Sequence, residues 1–386
     1  MLRADVQPHV LHVDDQRGWR GGERQMMLLA GGLRRRGIPC AAVVQRGALA
    51  ARRLRKAGLD VRDLRMRGEV DLPAARQIAR MARAGSFNIL HSHTAHAHTL
   101  ILLASHLCMA HCKVVAHRRI EFAVGKRLLG LGKLKYLAGT DAYISTSNRV
   151  KDTLVGAGVP EWRVFPVHSA TELKRFTDVP PAPGLRASLG IPDDAFVVGN
   201  IGALVGHKDH RNLLEACAIV RSEIPDLWVV IVGSGPLRER TLADAEALGM
   251  ADRLVMTGFR WDVPELIRML DLFALSSSEE GICSTLPQVA ASGCPIVATD
   301  AGGVREVVVP ERTGIVVPIR SARALAEGIV RLAGDPQQAQ QMLRQGQERI
   351  RRYFNADVLT EGTLKVYERV LRGRVGPEWP AGYCTD

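Results

Sequence analysis

Short apolar runs recur along this chain, separated by amphipathic stretches of helical length. Apolar runs without polar alternation read as strands buried on both faces of a parallel sheet. In order they are His9–Val13, Cys40–Gln45, Val61–Leu64, Phe87–His91, Lys113–His117, Asp141–Ser145 and Arg163–Val167. Helical patterns lie between them: Glu23–Arg36 (closed by Gly37), Ala48–Ala57, Asp71–Ala84, Ala95–Leu107 and Asn148–Gly156. Ala170–Pro183, with three prolines between Val179 and Pro183, reads as a linker.

A second series follows at Phe196–Gly202, Leu227–Val232, Arg253–Thr257, Asp271–Ser276, Ile296–Thr299 and Gly314–Val317. Its helices are Asn212–Ile224, Val263–Met269 and one starting near Ser284, whose hydroxyl suits an N-cap, and ending at Gly293 before Pro295. The remainder is helical, over Ala322–Ala333, Pro336–Tyr353 and Ala356–Leu371. Strand–helix alternation in both series predicts an α/β chain with two doubly wound, Rossmann-like parallel sheets. The domains are expected at 1–175 and 176–355, since 386 residues are long for a single core. No repeat at solenoid periods is present.

Such sheets bind ligands where strand carboxyl ends run into loops. Asp271–Ser276 opens into Ser277-Ser278-Glu279-Glu280-Gly281 and then into a helix amino terminus. Free backbone N–H groups there suit phosphate, and Gly281 allows close backbone approach. Gln288 lies eight residues beyond Glu280, early in that helix, where both side chains can reach one ligand. Gly302-Gly303 closes the next strand.

This stretch resembles the nucleotide-sugar signature of the retaining GT-B glycosyltransferases of family 4. The matching residues are Glu280, Gly281, Gly293, Pro295, Ala298, Thr299, Gly302, Gly303 and Glu306, with Gln288 where the family most often has a second acid. The resemblance implies two domains facing across a cleft, with the last helix, about 356–372, crossing back to the first domain. It implies that Glu280 holds hydroxyls of the donor sugar, that Gly281, Ile282, Cys283 and Ser284 lie over the diphosphate, and that Gln288 takes the ribose. The loop Gly202–His210 resembles another family loop, in which Lys208 is the phosphate-binding lysine and Ala203 replaces an arginine. Gly258-Phe259 matches the segment that holds the base.

In the first half, a dinucleotide-type G-x-G-x-x-G is absent, the spacing being Gly18-x-x-Gly21-Gly22. Gly21-Gly22-Glu23-Arg24 instead resembles the family loop over the donor phosphates. His117, at a strand's carboxyl end, matches a family histidine beside the transferred sugar. Arg118 and Arg119 suit a phosphate or carboxylate of donor or acceptor. The resemblance implies front-face displacement with no protein nucleophile, no cofactor and no required metal. A nucleotide-sugar 2-epimerase and a degenerate binding protein are the alternatives.

His91, His93, His96 and His98 cluster in sequence, followed by His106, Cys108, His111 and Cys112. A metal site is one reading, but no recognised ligand spacing is met and a strand-to-helix turn is expected to scatter the side chains. His93 and Thr94 are expected to start a helix at the cleft while the rest pack or face solvent.

The net charge of +12 is uneven: residues 1–175 hold 30 Lys and Arg against 13 Asp and Glu, and 176–386 hold 22 against 27. The first half is therefore expected to face something anionic. Aromatics are only 5% and no stacking module appears, which argues against nucleic acid. An anionic membrane surface or a phosphorylated acceptor fits better, with an arginine-rich solvated surface as the alternative. The basic, partly apolar segment Lys126–Tyr136 suits either. Seven scattered cysteines suggest reduced thiols, and the first residues lack a long apolar signal. The expectation is a cytoplasmic enzyme, peripheral at the inner membrane face. It would use a UDP-sugar and a lipid-linked or lipopolysaccharide-type acceptor.

Overall fold

In the computed structural model, which describes residues 7–19, 21–106, 112–119, 135–137, 139–180 and 182–373, the apolar runs become strands. In the first half these are β1 (Val10–Asp14), β2 (Cys40–Gln45), β3 (Asp60–Leu64), β4 (Ile89–Ser92), β5 (Lys113–Arg118), β6 (Ala142–Ser145) and β7 (Val164–Pro166). They pair in parallel in the order β3-β2-β1-β4-β5-β6-β7. Every residue of β1, β4 and β6 is buried, which is why these strands show no polar alternation.

Helices cover both faces. On one face, Leu29 and Leu33 of the helix Gly21–Arg35 and Leu359, Val366 and Tyr367 of Ala356–Leu371 pack with Val10, Ile89, Val115 and Ala142. These two helices approach closely at Gly32, where a Cβ would lie 2.0 Å from the Thr360 hydroxyl oxygen. On the other face, the helices Leu72–Ala84 and Ala95–His106 bury Ala75, Ile78, Leu100 and Ile101 against Leu11, Leu90 and Val114.

The second half forms β8 (Phe196–Ile201), β9 (Leu227–Val232), β10 (Leu254–Gly258), β11 (Leu272–Leu275), β12 (Ile296–Thr299) and β13 (Ile315–Val317). Their order is β10-β9-β8-β11-β12-β13, again parallel. The chain divides into one unit of Met1–Ala170 with Asn355–Asp386 and another of Thr171–Phe354. The division thus falls a few residues before the expected 175, because Ala170–Pro183 is not a free linker. Leu173–Thr177 is a short helix whose Phe176 is fully buried in the second unit's core, and Leu185–Ser188 is another. Val304–Val307 is a further short helix that the apolar pattern does not signal.

Both sheets reverse direction once. In the first, the chain runs outward from β1 to β3 and then resumes at β4 on the opposite side of β1. In the second, it runs outward from β8 to β10 and resumes at β11 on the other side of β8. At such switch points neighbouring loops diverge and leave a crevice at the strand carboxyl ends. No described helix is long and apolar enough to cross a membrane.

Candidate functional site

At the second unit's switch point, the loop after β8 meets the loop after β11. The first loop is held down by glycines: a Cβ on Gly233 would meet the Gly202 carbonyl oxygen at 1.8 Å, and one on Gly235 the Leu204 oxygen at 2.4 Å. Leu204 N–H donates to the Ser234 carbonyl at 3.1 Å and Leu237 N–H to the Leu204 carbonyl at 3.1 Å. The loop then makes a 3₁₀ turn, Gly206–Lys208, and Asp209 takes a left-handed conformation to open the helix His210–Val220. That helix starts ahead of the expected Asn212 because the Asp209 carboxylate accepts the Asn212 N–H.

These constraints aim Lys208 at Glu280. The Lys208 ammonium donates to the Glu280 carboxylate at 2.5 Å, and the Ser277 hydroxyl donates to the same oxygen at 2.7 Å. The pair is mostly shielded, with side chains 14% and 8% exposed. Ser276 donates to the Lys208 carbonyl at 2.9 Å and Ser278 N–H to the His207 carbonyl at 2.8 Å, tying the two loops together. From the next strand, the Thr299 hydroxyl donates to the Ser277 carbonyl at 2.6 Å, and Gly303 N–H reaches the Glu280 carbonyl at 3.3 Å.

Burial works against the charged Lys208; Cys283 and Glu280 act the other way and the net direction is upward. Burial also pushes the Cys283 thiol up. Cys283 is therefore neutral at pH 7, and Glu280 is the partner that counts there. His210, buried behind Lys208, is pushed down to about 4 by burial and then by the lysine charge. The strand edge thus carries an ammonium and a carboxylate paired with each other and largely shielded from solvent.

Gly281 and Ile282 are partly exposed, Cys283 is buried and Ser284 exposed, so the loop alternates between the site and the core. Ser284 precedes the helix Thr285–Ser292 but makes no side-chain cap, contrary to the sequence expectation; its backbone is already helical, and Thr285 donates to the Ile201 carbonyl at 3.3 Å. Gln288 is half-buried on that helix and is not a core residue. Gly258 has φ +71 and leads to Phe259, which is 61% exposed and stands edge-on to Trp261 at 4.8 Å between ring centroids.

The first unit's switch point holds a different chemistry. Along one face of β1, β4 and β5 the side chains pass from apolar (Val10, Ile89, Val115) to histidine (His12, His91, His117). Beyond the histidines, towards the carboxyl ends, come Asp14, His93 and Arg119. The expected scattering of the histidines fails for His91 and His93: two residues apart, they share a face and gather with His12, which its own apolar run does not single out. It holds for His96, exposed beside Asp15, and for His98, which meets Thr140 at 2.8 Å. Cys108 and His111 lie outside the described residues.

His117 is 3% exposed, stacked on His91 with centroids 5.7 Å apart, and neither ring nitrogen has a partner. Burial, then Arg119 and His12, holds it well below the usual imidazole range. Burial pushes the Asp14 carboxyl up to about 7. Arg119 faces this cluster, donating to the His93 carbonyl at 3.2 Å, while a Cβ on Gly22 would come within 3.1 Å of its guanidinium. Arg118 points to the opposite face, where its guanidinium donates to the Tyr136 hydroxyl and lies 4.7 Å over that ring. Gly21 opens its helix with nothing within 4 Å of its would-be Cβ.

Of the residues expected at a site, Lys208 and Glu280 come together, and His117 lies at the first unit's switch point. Ser277 adjoins the charged pair, and His12 and Tyr367 adjoin His91, which stacks on His117; these three are not singled out from the sequence. Ser277 was one hydroxyl in a run of three, and Tyr367 comes from the far end of the chain. For His12 a signal existed: Val10, His12 and Asp14 alternate onto one face of β1.

Residues 19–175 match the family model described as Glycosyltransferase Family 4, and residues 183–349 the one described as Glycosyl transferases group 1. EpsD of Bacillus subtilis is 27% identical over 75% of this chain and 79% of its own length. The lipopolysaccharide core biosynthesis glycosyltransferase LpsD of Rhizobium meliloti is 30% identical, over 52% of this chain and 58% of that protein. Anabaena HepE, whose structure holds UDP, superposes with a TM-score of 0.80 at 19% identity, covering 92% of this chain and 98% of that one. With two parallel sheets, a charged pair at the second sheet's switch point and family matches over both halves, the chain belongs to the group 1 glycosyltransferases of GT-B fold.

Proposed function

We propose that this glycosyltransferase moves a sugar, with retention of anomeric configuration, from a nucleotide-diphosphate sugar to a lipid-linked or lipopolysaccharide-type glycan. UDP-sugars are the first choice of donor. The observation that carries the reading is the Lys208–Glu280 pair at the β8/β11 switch point. A donor would separate the two: the ammonium turns to the diphosphate and the carboxylate to the sugar hydroxyls. Negative charge grows on the leaving diphosphate in the transition state, so a fixed cation there lowers the barrier. Neutralisation is assigned to Lys208 and the backbone N–H groups after Gly281 rather than to a metal ion. The half-buried Gln288 would accept and donate hydrogen bonds to the ribose. The base would lie beside Gly258 and Phe259, where Phe259 and Trp261 stand exposed after β10. His117 is neutral and without a partner, as a group that hydrogen-bonds a sugar hydroxyl would be. Arg119 would serve the acceptor or donor phosphate, while Arg118 would act by holding Tyr136.

The UDP in HepE and the lipopolysaccharide role in the name of LpsD support the donor and acceptor classes. The test is turnover with UDP-, GDP- and ADP-sugars, with product anomers assigned by NMR. Net retention is expected. An inverted product, or a 2-epimer released without acceptor, would overturn the reading.

Gln288→Glu is expected to keep activity, whereas Gln288→Leu should raise the donor KM roughly tenfold, the equivalent of about 1–1.5 kcal/mol for one lost hydrogen bond. Steady-state kinetics of the two variants checks this; an unchanged KM in the leucine variant excludes a ribose contact.

The acceptor reading also predicts docking on an anionic surface at the inner membrane face. Residues 1–175 carry an excess of 17 positive charges, 30 against 13. Arg52 and Lys56 are exposed on the helix Leu49–Lys56, whereas Arg55 is paired with Asp63 and Lys135 with Glu69. Lys126, Arg127 and Lys133 lie outside the described residues. Co-sedimentation with vesicles containing anionic lipid should exceed that with neutral vesicles and fall as salt rises. Equal binding to both, or none to either, would favour a soluble acceptor.

A further inference from the structure

The histidines at the first unit's switch point are not used up by the transfer chemistry. We propose that His12, His91 and His93 form a binding site for a late first-row transition-metal dication, zinc above all, beside the ring of His117. The nitrogens these three residues offer all lie within 4.8 Å of one another. The placement follows from the sheet: His12 and His91 are direct partners in the β1–β4 register, and His93 follows two residues on along the same face. All three are buried, at 0%, 0% and 4% exposure.

Two of the three carry a ring nitrogen with no partner, Nε2 of His12 and Nε2 of His91, although both are wholly enclosed. The opposite nitrogen of His91 is 2.6 Å from the Tyr367 hydroxyl. With Nδ1–H donating to that oxygen, the Nε2 lone pair is left for a ligand and the ring is held in place, as outer-shell partners of metal-bound histidines do. Burial keeps the imidazoles neutral, which is the form that binds metal: it pulls His12 down to about 3 and holds His91 and His93 well below the usual range. An all-imidazole set suits zinc, cobalt, nickel or copper, and is poor for magnesium or calcium, which take oxygen ligands.

Two adjustments accompany binding. Metal–nitrogen bonds of about 2.0–2.1 Å bring the ligating atoms closer than the present spacing, so the rings must turn inward. His93 must also give up both ring contacts. Its Nε2 exchanges the 3.0 Å contact with His12 Nδ1 for the ion, and the ring proton moves to Nδ1, which no longer accepts from Arg119, so that guanidinium must turn away. The opposing charge is Arg119, 3.0 Å from His93 Nδ1, and it is itself balanced by Asp14 and Glu23. The proposal stands apart from the donor-site reading, because no step of sugar transfer passes through the ion.

The test uses the full chain without a histidine tag, stripped with chelator and dialysed against zinc. Elemental analysis should give one zinc per chain. His12→Asn and His93→Asn should weaken binding at least tenfold, while His96→Ala, an exposed control, should leave it unchanged. Zinc should raise the Tm of the wild type and not that of the asparagine variants. Should those variants fail to fold, X-ray absorption of the cobalt-loaded wild type decides, the expected shell being three imidazoles. No saturable binding, binding indifferent to His12→Asn, or an oxygen-only shell would overturn the proposal.

Discussion

Taking the metal-free protein from pH 7.5 to pH 5 is expected to destabilise the first unit steeply and the second only slightly. Five buried histidines of the first unit, His12, His91, His93, His98 and His117, are held below their unfolded value of 6.5, in each case chiefly by burial. A base with a depressed folded pKa contributes stability that is full above about pH 6.5 and is lost as the pH falls below it. For His12 the loss continues down to about 3. Each such group can withdraw up to about 1.4 kcal/mol per pH unit, so several titrating together exceed ordinary domain stabilities within one or two units. Asp14 acts in the opposite sense: raised to about 7, it is relieved of charge as the pH falls, but it is one group against five. Arg118, Lys135 and Arg119 further oppose protonation of the neighbouring rings. Among the described histidines of the second unit only His210, near 4, shows a comparable shift. Calorimetry at pH 7.5, 6 and 5 should show one transition moving down by on the order of 10 °C or more and the other nearly fixed. Two transitions that move together, or neither moving, would mean that the histidines are hydrated or already paired.

Replacing either member of the charged pair is expected to have the larger effect on function. Glu280→Ala should reduce kcat by on the order of 100–1,000-fold, the usual consequence of losing one fixed group that acts on the reacting centre. Glu280→Gln should recover little, since it cannot carry the charge that orients Lys208 at 2.5 Å, although it can keep the Ser277 contact. Lys208→Ala should mainly raise the nucleoside diphosphate Kd, by roughly tenfold or more, as expected for a charge-assisted hydrogen bond. Both variants should fold, because the pair sits on loops beyond the strand ends and not in either core cluster of the second unit. Normal turnover in both purified proteins would remove Lys208 and Glu280 from the mechanism.

The parallel sheets were legible because strands buried on both faces leave uninterrupted apolar runs, as at Leu227–Val232 and Leu272–Leu275. Turn chemistry was legible where glycine decides it, as at Gly293, which ends its helix with φ +75. Less legible were features fixed by tertiary contacts. Phe176 turns a proline-rich stretch into part of the core, and nothing local to Leu173–Thr177 announces that burial. Lys208 and Glu280 were read as separate ligands of a donor, while their mutual contact depends on β8 and β11 being neighbours, a long-range pairing. The histidine cluster needed the β1–β4 pairing for the same reason, and Tyr367 reaches it only because the final helix returns to the first sheet. Sequence spacing reports neighbours along one element; switch points are built by strands far apart in the chain.

The most direct test of the donor site is a calorimetric titration of the wild type and Lys208→Ala with UDP, GDP, ADP and UMP. The wild type should bind at least one nucleoside diphosphate, UDP foremost, and UMP at least tenfold more weakly than UDP. In Lys208→Ala that preference for the diphosphate should largely disappear. Failure of the wild type to bind any nucleoside diphosphate, or equal UDP affinity in both proteins, would contradict a donor site at the β8/β11 switch point.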